Sequence, residues 1–152
     1  MRNEEVAITA SSACSATVAS LTKRINRKNW WHVQPLDPDA YHKRGKFYSS
    51  SFEEAEFYGR PGEPEHVVVT QPLSGDETYI EMTLLGKCPS AELDSLPGGA
   101  AVITARFALD QRLKEAAVAQ GYDCIALMTP RAWRRFLNNG DLPRSIELNI
   151  FI

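Results

Sequence analysis

Tyr48 and Tyr58 stand ten positions apart, the first in Gly45-Lys46-Phe47-Tyr48-Ser49 and the second just ahead of Gly59. The first run reads as a strand and the segment after Ser50 or Ser51 as a helix, so the two rings can face each other across a groove. A flat heteroaromatic ring fits between two such faces, because offset aromatic stacking is favourable. The same pair can instead be core residues whose hydroxyls reach the surface. Other chemistries lack their residues. His32, His42 and His66 have no metal-ligand spacing with cysteines or paired carboxylates, which argues against zinc. No G-x-S-x-G elbow is present for a serine hydrolase, and neither G-x-G-x-x-G nor G-x-x-x-x-G-K-[ST] is present to cradle a phosphate. Cys14, Cys88 and Cys124 are odd in number and far apart, so they read as reduced thiols and point to action in the cytoplasm.

The elements that must position these residues follow from periodicity and punctuation. The first fourteen residues are small and polar and predict a flexible N-terminus, with a single domain over 15–152. Val18, Leu21 and Ile25 recur at helical spacing and predict a helix from Ser15 to Arg27. Asn29-Trp30-Trp31-His32-Val33 reads as a strand, broken by Pro35 and Pro38. Ser50 or Ser51 can cap the helix that carries Phe52, Ala55 and Tyr58, with Glu53 and Glu54 in its first turn. His66–Thr70 and Tyr79–Leu84 read as strands. Phe107, Leu109, Leu113, Ala116 and Ala117 define a long helix ended by Gly121. Cys124–Met128 reads as a core strand, Ala132–Leu137 as a short helix closed by Asn139-Gly140, and Ser145–Phe151 as a terminal strand. On that last strand Ile146, Leu148 and Ile150 share one face while Glu147 and Asn149 take the other. Helices and strands mix without a regular βαβ rhythm, which predicts an α+β fold.

Gly45-Lys46-Phe47-Tyr48-Ser49-Ser50, followed by a helix with Ala55 and Tyr58, resembles the nicotinamide-binding segment of ADP-ribosyltransferases of the His-Tyr-Glu type. That group includes diphtheria-like toxins and poly-ADP-ribose polymerases. The resemblance spans roughly residues 29 to 151 and follows the family's order of elements. It implies a split pair of small sheets with surrounding helices, and NAD as substrate. Tyr48 and Tyr58 would sandwich the nicotinamide, although their spacing is one residue shorter than in the family. His32 would hold a ribose hydroxyl through a ring nitrogen. The next position, usually glycine in the family, is Val33, whose backbone would meet the nicotinamide amide and whose Cβ would crowd it. Ser49 joins these as an NAD-binding position. Glu147 would be the catalytic carboxylate, stabilising the oxocarbenium-like state formed as the ribose–nicotinamide bond breaks. A sister class uses a Ser-Thr-Ser run and a Glu-x-Glu pair. Ser49-Ser50-Ser51 partly imitates the first, but Ser145 stands two positions before Glu147, which argues against the arginine-modifying subclass.

The resemblance implies transfer of ADP-ribose to a macromolecular acceptor, or NAD hydrolysis, as in an effector or toxin delivered into a target cell. Two other readings compete with it. Val33 favours a non-catalytic binding module on the same scaffold. Two basic clusters, Lys23, Arg24, Arg27 and Lys28, and Arg131, Arg134 and Arg135, suggest a nucleic-acid or partner-binding domain. Trp30 and Trp31 lie near the first, Trp133 and Phe136 near the second, an arrangement that can serve single strands. A net charge of −2 and a pI near 5.9 argue against a general nucleic-acid binder. No apolar run approaches the roughly twenty residues a membrane span needs, so no membrane partner is expected.

Overall fold

The computed structural model describes residues 18–151; the segment 1–14, the start of the expected first helix and Cys14 lie outside the described residues. In chain order the elements are α1 (18–27), β1 (Asn29–Trp30), α2 (Ala40–Arg44), β2 (Lys46–Ser49), α3 (Phe52–Glu56), β3 (Glu65–His66), β4 (Pro72–Gly75), α4 (Glu77–Leu85), α5 (Ser90–Leu93), α6 (Ala100–Ala119), β5 (Cys124–Leu127), α7 (Pro130–Asn139) and β6 (Glu147–Ile150). The architecture is α+β, with two small sheets flanked by helices. The larger sheet has the order β2-β6-β5-β4, antiparallel except for the β4–β5 pair. β1 and β3 form a two-stranded ribbon, and a bridge between Trp31 and Ser49 ties that ribbon to β2.

Strand alternation divides the larger sheet into two faces. On one, Tyr48, Leu148, Ala126 and Cys124 pack beneath α1 and α7, meeting Leu21, Ile25, Trp133 and Phe136. On the other, Leu73 and Ile125 pack against Ile80 and Leu84 of α4 and Leu109, Leu113 and Ala117 of α6. Fully burying each of these aliphatic side chains contributes roughly 1.5–3 kcal/mol. The two helices of the second face cover only the β4–β5 side. That leaves the β6–β2 side of the same face for a cleft.

Two sequence expectations change. Tyr79–Leu84 is not a strand but the body of α4. Asp76 caps it by accepting from the Tyr79 amide at 2.8 Å, Glu77 sits in its first turn, and Gly86 ends it in the left-handed conformation. The apolar residues that matter are Ile80 and Leu84, one helical turn apart. The strand expected over His66–Thr70 shortens to β3, because Val67 and Val69 enter the core as an irregular segment while Val68 is exposed. The Val69 amide and carbonyl are satisfied by the side chain of Asn26 instead of a neighbouring strand. β4, whose residues Pro72-Leu73-Ser74-Gly75 lack a strand signature, forms the edge of the larger sheet, paired in parallel with β5.

Candidate active site

One row of residues crosses the open half of the sheet. Trp31 pairs with Ser49, Ser49 with Glu147, and Glu147 with Leu127. In the parallel row two residues away, Phe47 pairs with Asn149 and Asn149 with Ile125. Both rows project to the same face. Above them lies a cleft of about 660 Å³, walled by Phe47, Ala55, Tyr58, Arg106, Phe107 and Asp110, with Glu147 on its floor.

Each wall has a local cause. α3 starts directly after β2 because Ser51 accepts from the Glu54 amide at 3.2 Å, and this tight turn swings Ala55 and Tyr58 back over the sheet. The Tyr58 hydroxyl then donates to Glu147 Oε2 at 3.3 Å. β2 is entered through Gly45 at φ +92°, where a side chain would collide with Asn149, whose Nδ2 donates to the Arg44 carbonyl at 2.8 Å. Val33 closes another edge by packing against Gly59, where an added Cβ would stand 2.9 Å from Val33 Cγ1. On the helix side, Arg106 and Asp110 are one turn apart on α6.

The electrostatics centre on Arg106. Its Nη1 lies 2.6 Å from Glu77 Oε1 and its Nε 3.4 Å from Asp110 Oδ1. Burial is the main force pushing the Glu147 carboxyl above the usual carboxylate range. The Tyr58 hydroxyl and Arg106 oppose that rise, and the charges of Glu77 and Glu54 add to it. Burial also pushes Asp110 up to about 6, against the pull of Arg106 and Arg44. The Tyr58 phenol is raised by burial and by the carboxylate it meets. Arg44 lies over the Phe107 ring at 3.7 Å, and among the described residues its guanidinium makes no hydrogen bond or ion pair. The cleft therefore offers aromatic rings on its walls, one guanidinium stacked on Phe107 with no hydrogen-bond or ion-pair partner, one held by two carboxylates, and a carboxylate in a poorly hydrated position. That set suits a ligand with a flat ring and anionic groups, and a reaction that develops positive charge beside Glu147.

Beyond the Tyr58–Glu147 bond a second chamber opens, about 530 Å³ in volume and lined by Glu54, Thr78, Thr129 and Ser145 as well as the shared Ser49 and Glu147. Ser145 Oγ donates to Glu54 Oε2 at 2.6 Å, so a carboxylate from α3 stands beside the position where the sequence has no acid. Among the described residues no cluster of His, Cys, Asp or Glu is placed to hold a metal ion.

Of the residues singled out in the sequence, Val33, Ser49, Tyr58 and Glu147 line the cleft. His32 and Tyr48 do not. Tyr48 is 6% exposed and belongs to the core on the opposite face, paired with Leu148, its hydroxyl donating to Glu65 Oε1 at 3.3 Å. His32 packs beside it, ring centroids 5.5 Å apart. Its Nδ1 donates to the Phe47 carbonyl, which can only accept, and Nε2 then accepts from the Tyr41 hydroxyl, both at 2.6 Å. Burial lowers the His32 pKa, in keeping with this neutral ring. The expected sandwich of Tyr48 with Tyr58 is therefore corrected. Successive strand residues point to opposite faces, and the β2 aromatic on the cleft face is Phe47, eleven positions before Tyr58. For the same reason Trp31, not His32, faces the cleft from the first ribbon.

The sequence reading also missed Arg44, Glu77, Arg106 and Asp110. The Arg106–Asp110 pair carried an i, i+4 signal, whereas Arg44 and Glu77 reach the cleft only through tertiary packing. The aromatics proposed for single-strand stacking are mostly spent in the core: Trp30, Trp133 and Phe136 are buried. No helix among the described residues is long and apolar enough to cross a membrane. No protein-family model, curated protein or solved structure matches this chain, so the geometry of the cleft carries the functional argument alone.

Proposed function

We propose that the cleft binds NAD and cleaves its ribose–nicotinamide bond, passing ADP-ribose to a macromolecular acceptor or to water. The observation that carries this reading is the half-buried Glu147 in the cleft that Phe47 and Tyr58 also line, held by the Tyr58 hydroxyl. The nicotinamide ring stacks between Phe47 and Tyr58, a role in which Phe47 replaces the tyrosine expected on β2. Arg44 faces the pyrophosphate, and Arg106 contributes where its carboxylate partners allow. As the C–N bond breaks, its electron pair leaves with the nicotinamide nitrogen and positive charge develops on the ribose. Glu147, ionised and poorly hydrated, stabilises that charge more strongly than it does neutral ribose in the ground state. A nucleophile then adds to the same carbon and releases its proton. The fold this function implies is ADP-ribosyltransferase-like, and the two-sheet α+β architecture is compatible with it. The free thiols of Cys88 and Cys124 fit a reducing compartment, the cytoplasm of the cell in which the protein acts.

The test is nicotinamide release from NAD, measured beside NAD affinity, for the wild type and Glu147→Gln. Gln keeps the shape and part of the hydrogen bonding but removes the charge. Turnover should fall about a hundredfold or more, while affinity changes far less. Equal turnover in the two proteins excludes Glu147 as the catalytic carboxylate. Absence of both turnover and NAD binding in the wild type supports instead a non-catalytic module, the reading that Val33 in the cleft wall favours.

A further inference from the structure

Arginines from three parts of the chain converge on a depression that the proposed NAD chemistry does not use. Arg24 of α1, Arg131 and Arg135 of α7, and Arg144 of the loop before β6 line one concavity of about 850 Å³. The α7 pair sits one helical turn apart, so both side chains leave the same face. Arg24 comes from the helix packed beside α7 in the core, and Arg144 from the segment that returns past the end of α7. Among the described residues none of the four makes a hydrogen bond or an ion pair. A single acid, Asp141, lines the same concavity, and it stands too far from each arginine to pair with it. The chain carries a net charge of −2, yet this surface holds four positive charges against one negative. Such segregation concentrates a positive potential in the concavity, which attracts an anion.

We infer that this depression binds the phosphodiester backbone of a nucleic-acid strand. All the cations here are arginine, whose planar fork donates two parallel hydrogen bonds to a phosphate. The concavity is too large for one phosphate and has too many guanidiniums for one, which favours a ligand with several phosphates in series. The buried state of Trp30, Trp133 and Phe136 removes base stacking from this surface, so recognition is of backbone, without sequence readout. Arg134, the neighbour of Arg135 in sequence, does not line the depression and plays no part. The inference is independent of NAD cleavage. The edge of the depression, at Thr129 and Ser145, is nevertheless shared with the chamber beside Glu147.

The experiment is fluorescence anisotropy of a labelled single-stranded oligonucleotide with the full chain, titrated in salt. Four phosphate contacts on a single strand predict a slope of about −2.8 in log affinity against log salt, or roughly a fifty-fold loss between about 50 and about 200 mM. Arg131→Gln with Arg135→Gln should reduce the slope by about 1.4, at an unchanged thermal midpoint that reports an intact fold. Arg134→Gln, one position from Arg135, should leave the slope unaltered. The proposal is overturned by absence of binding at about 50 mM salt, or by equal slopes in the wild type and the Arg131/Arg135 double variant. It is also overturned if polyglutamate displaces the labelled strand as well as unlabelled oligonucleotide does, because the surface is then a sink for any polyanion.

Discussion

Replacing Asp110 with Asn should stabilise the protein above about pH 6 and flatten its pH dependence. Asp110 is 9% exposed, and burial raises its carboxyl from the ordinary 3.8 to about 6. An acid whose pKa rises on folding contributes most below its unfolded value, and that contribution is lost as pH rises through the folded value. For Asp110 the loss runs from about pH 4 to about pH 7. Each pKa unit corresponds to ~1.4 kcal/mol, so a rise of about two units sets a ceiling near 3 kcal/mol. The realised gain is smaller, since Asn is itself a buried polar group that needs partners, while the rise to about 6 already includes the pull of the ion pair with Arg106. That pair is itself screened, because the Arg106 side chain is 38% exposed. A gain of ~1–2 kcal/mol near pH 8 is the expected outcome, shrinking towards zero near pH 4, where the wild-type carboxyl is neutral and resembles Asn. Urea unfolding across that pH range, with the difference in midpoint plotted against pH, measures it. A variant less stable than wild type near pH 8 would show that the pair with Arg106 outweighs the burial penalty, and would refute the reasoning.

The remaining expectations concern the cleft. Phe47→Ala should weaken NAD binding by ~0.5–1.5 kcal/mol through lost stacking, whereas Tyr48→Phe, which removes a hydroxyl bonded to Glu65 away from the cleft, should leave nicotinamide release unchanged. The reverse pattern in a steady-state assay would restore Tyr48 to the site. Glu77→Gln removes a charge that raises the Glu147 carboxyl and releases Arg106 to lower it. Since the proposed reaction needs Glu147 ionised, the acid limb of the pH–rate profile should move to lower pH, and a limb that stays in place would separate that limb from Glu147.

Where local signals agreed with tertiary packing, the sequence was legible. The apolar run Cys124–Leu127 became the central strand β5, and Ser51 capped α3 as its side chain and the following glutamates predicted. The errors have two physical sources. Period-two and helical patterns are hard to separate in a six-residue window, so Tyr79–Leu84 read as a strand until Asp76 and Gly86 are recognised as caps. A strand also gives no absolute phase from sequence. Phe47 and Tyr48 are adjacent aromatics on β2, and only the pairing of Ser49 with Glu147 decides which of them shares Glu147's face. His32 and Trp31 present the same ambiguity on the first ribbon. Arg44, Glu77 and Arg106 come from three separate helices or their ends, and no local pattern announces their convergence.

The composition of the strands explains why the cleft lies where it does. On the second face, β4 and β5 present Leu73, Ile125 and Leu127, which must be covered, and α4 and α6 cover them. On the same face β6 and β2 present Glu147, Asn149, Phe47 and Ser49. Packing a helix flat over that set would fully bury the Glu147 carboxylate at a cost of several kcal/mol unless it found a partner. The helices therefore stop at the boundary between the apolar and polar halves of the sheet. Glu147 sits on that boundary, beside Leu127 on one side and Ser49 on the other. It is buried enough for its carboxyl to be raised, yet open to a ligand through the cleft. A substitution that extended the apolar half, such as Ser49→Val, would draw the wall inward over Glu147. On the proposed function, NAD affinity and nicotinamide release would then fall together through closure of the site, whereas Glu147→Gln lowers release with far less change in affinity.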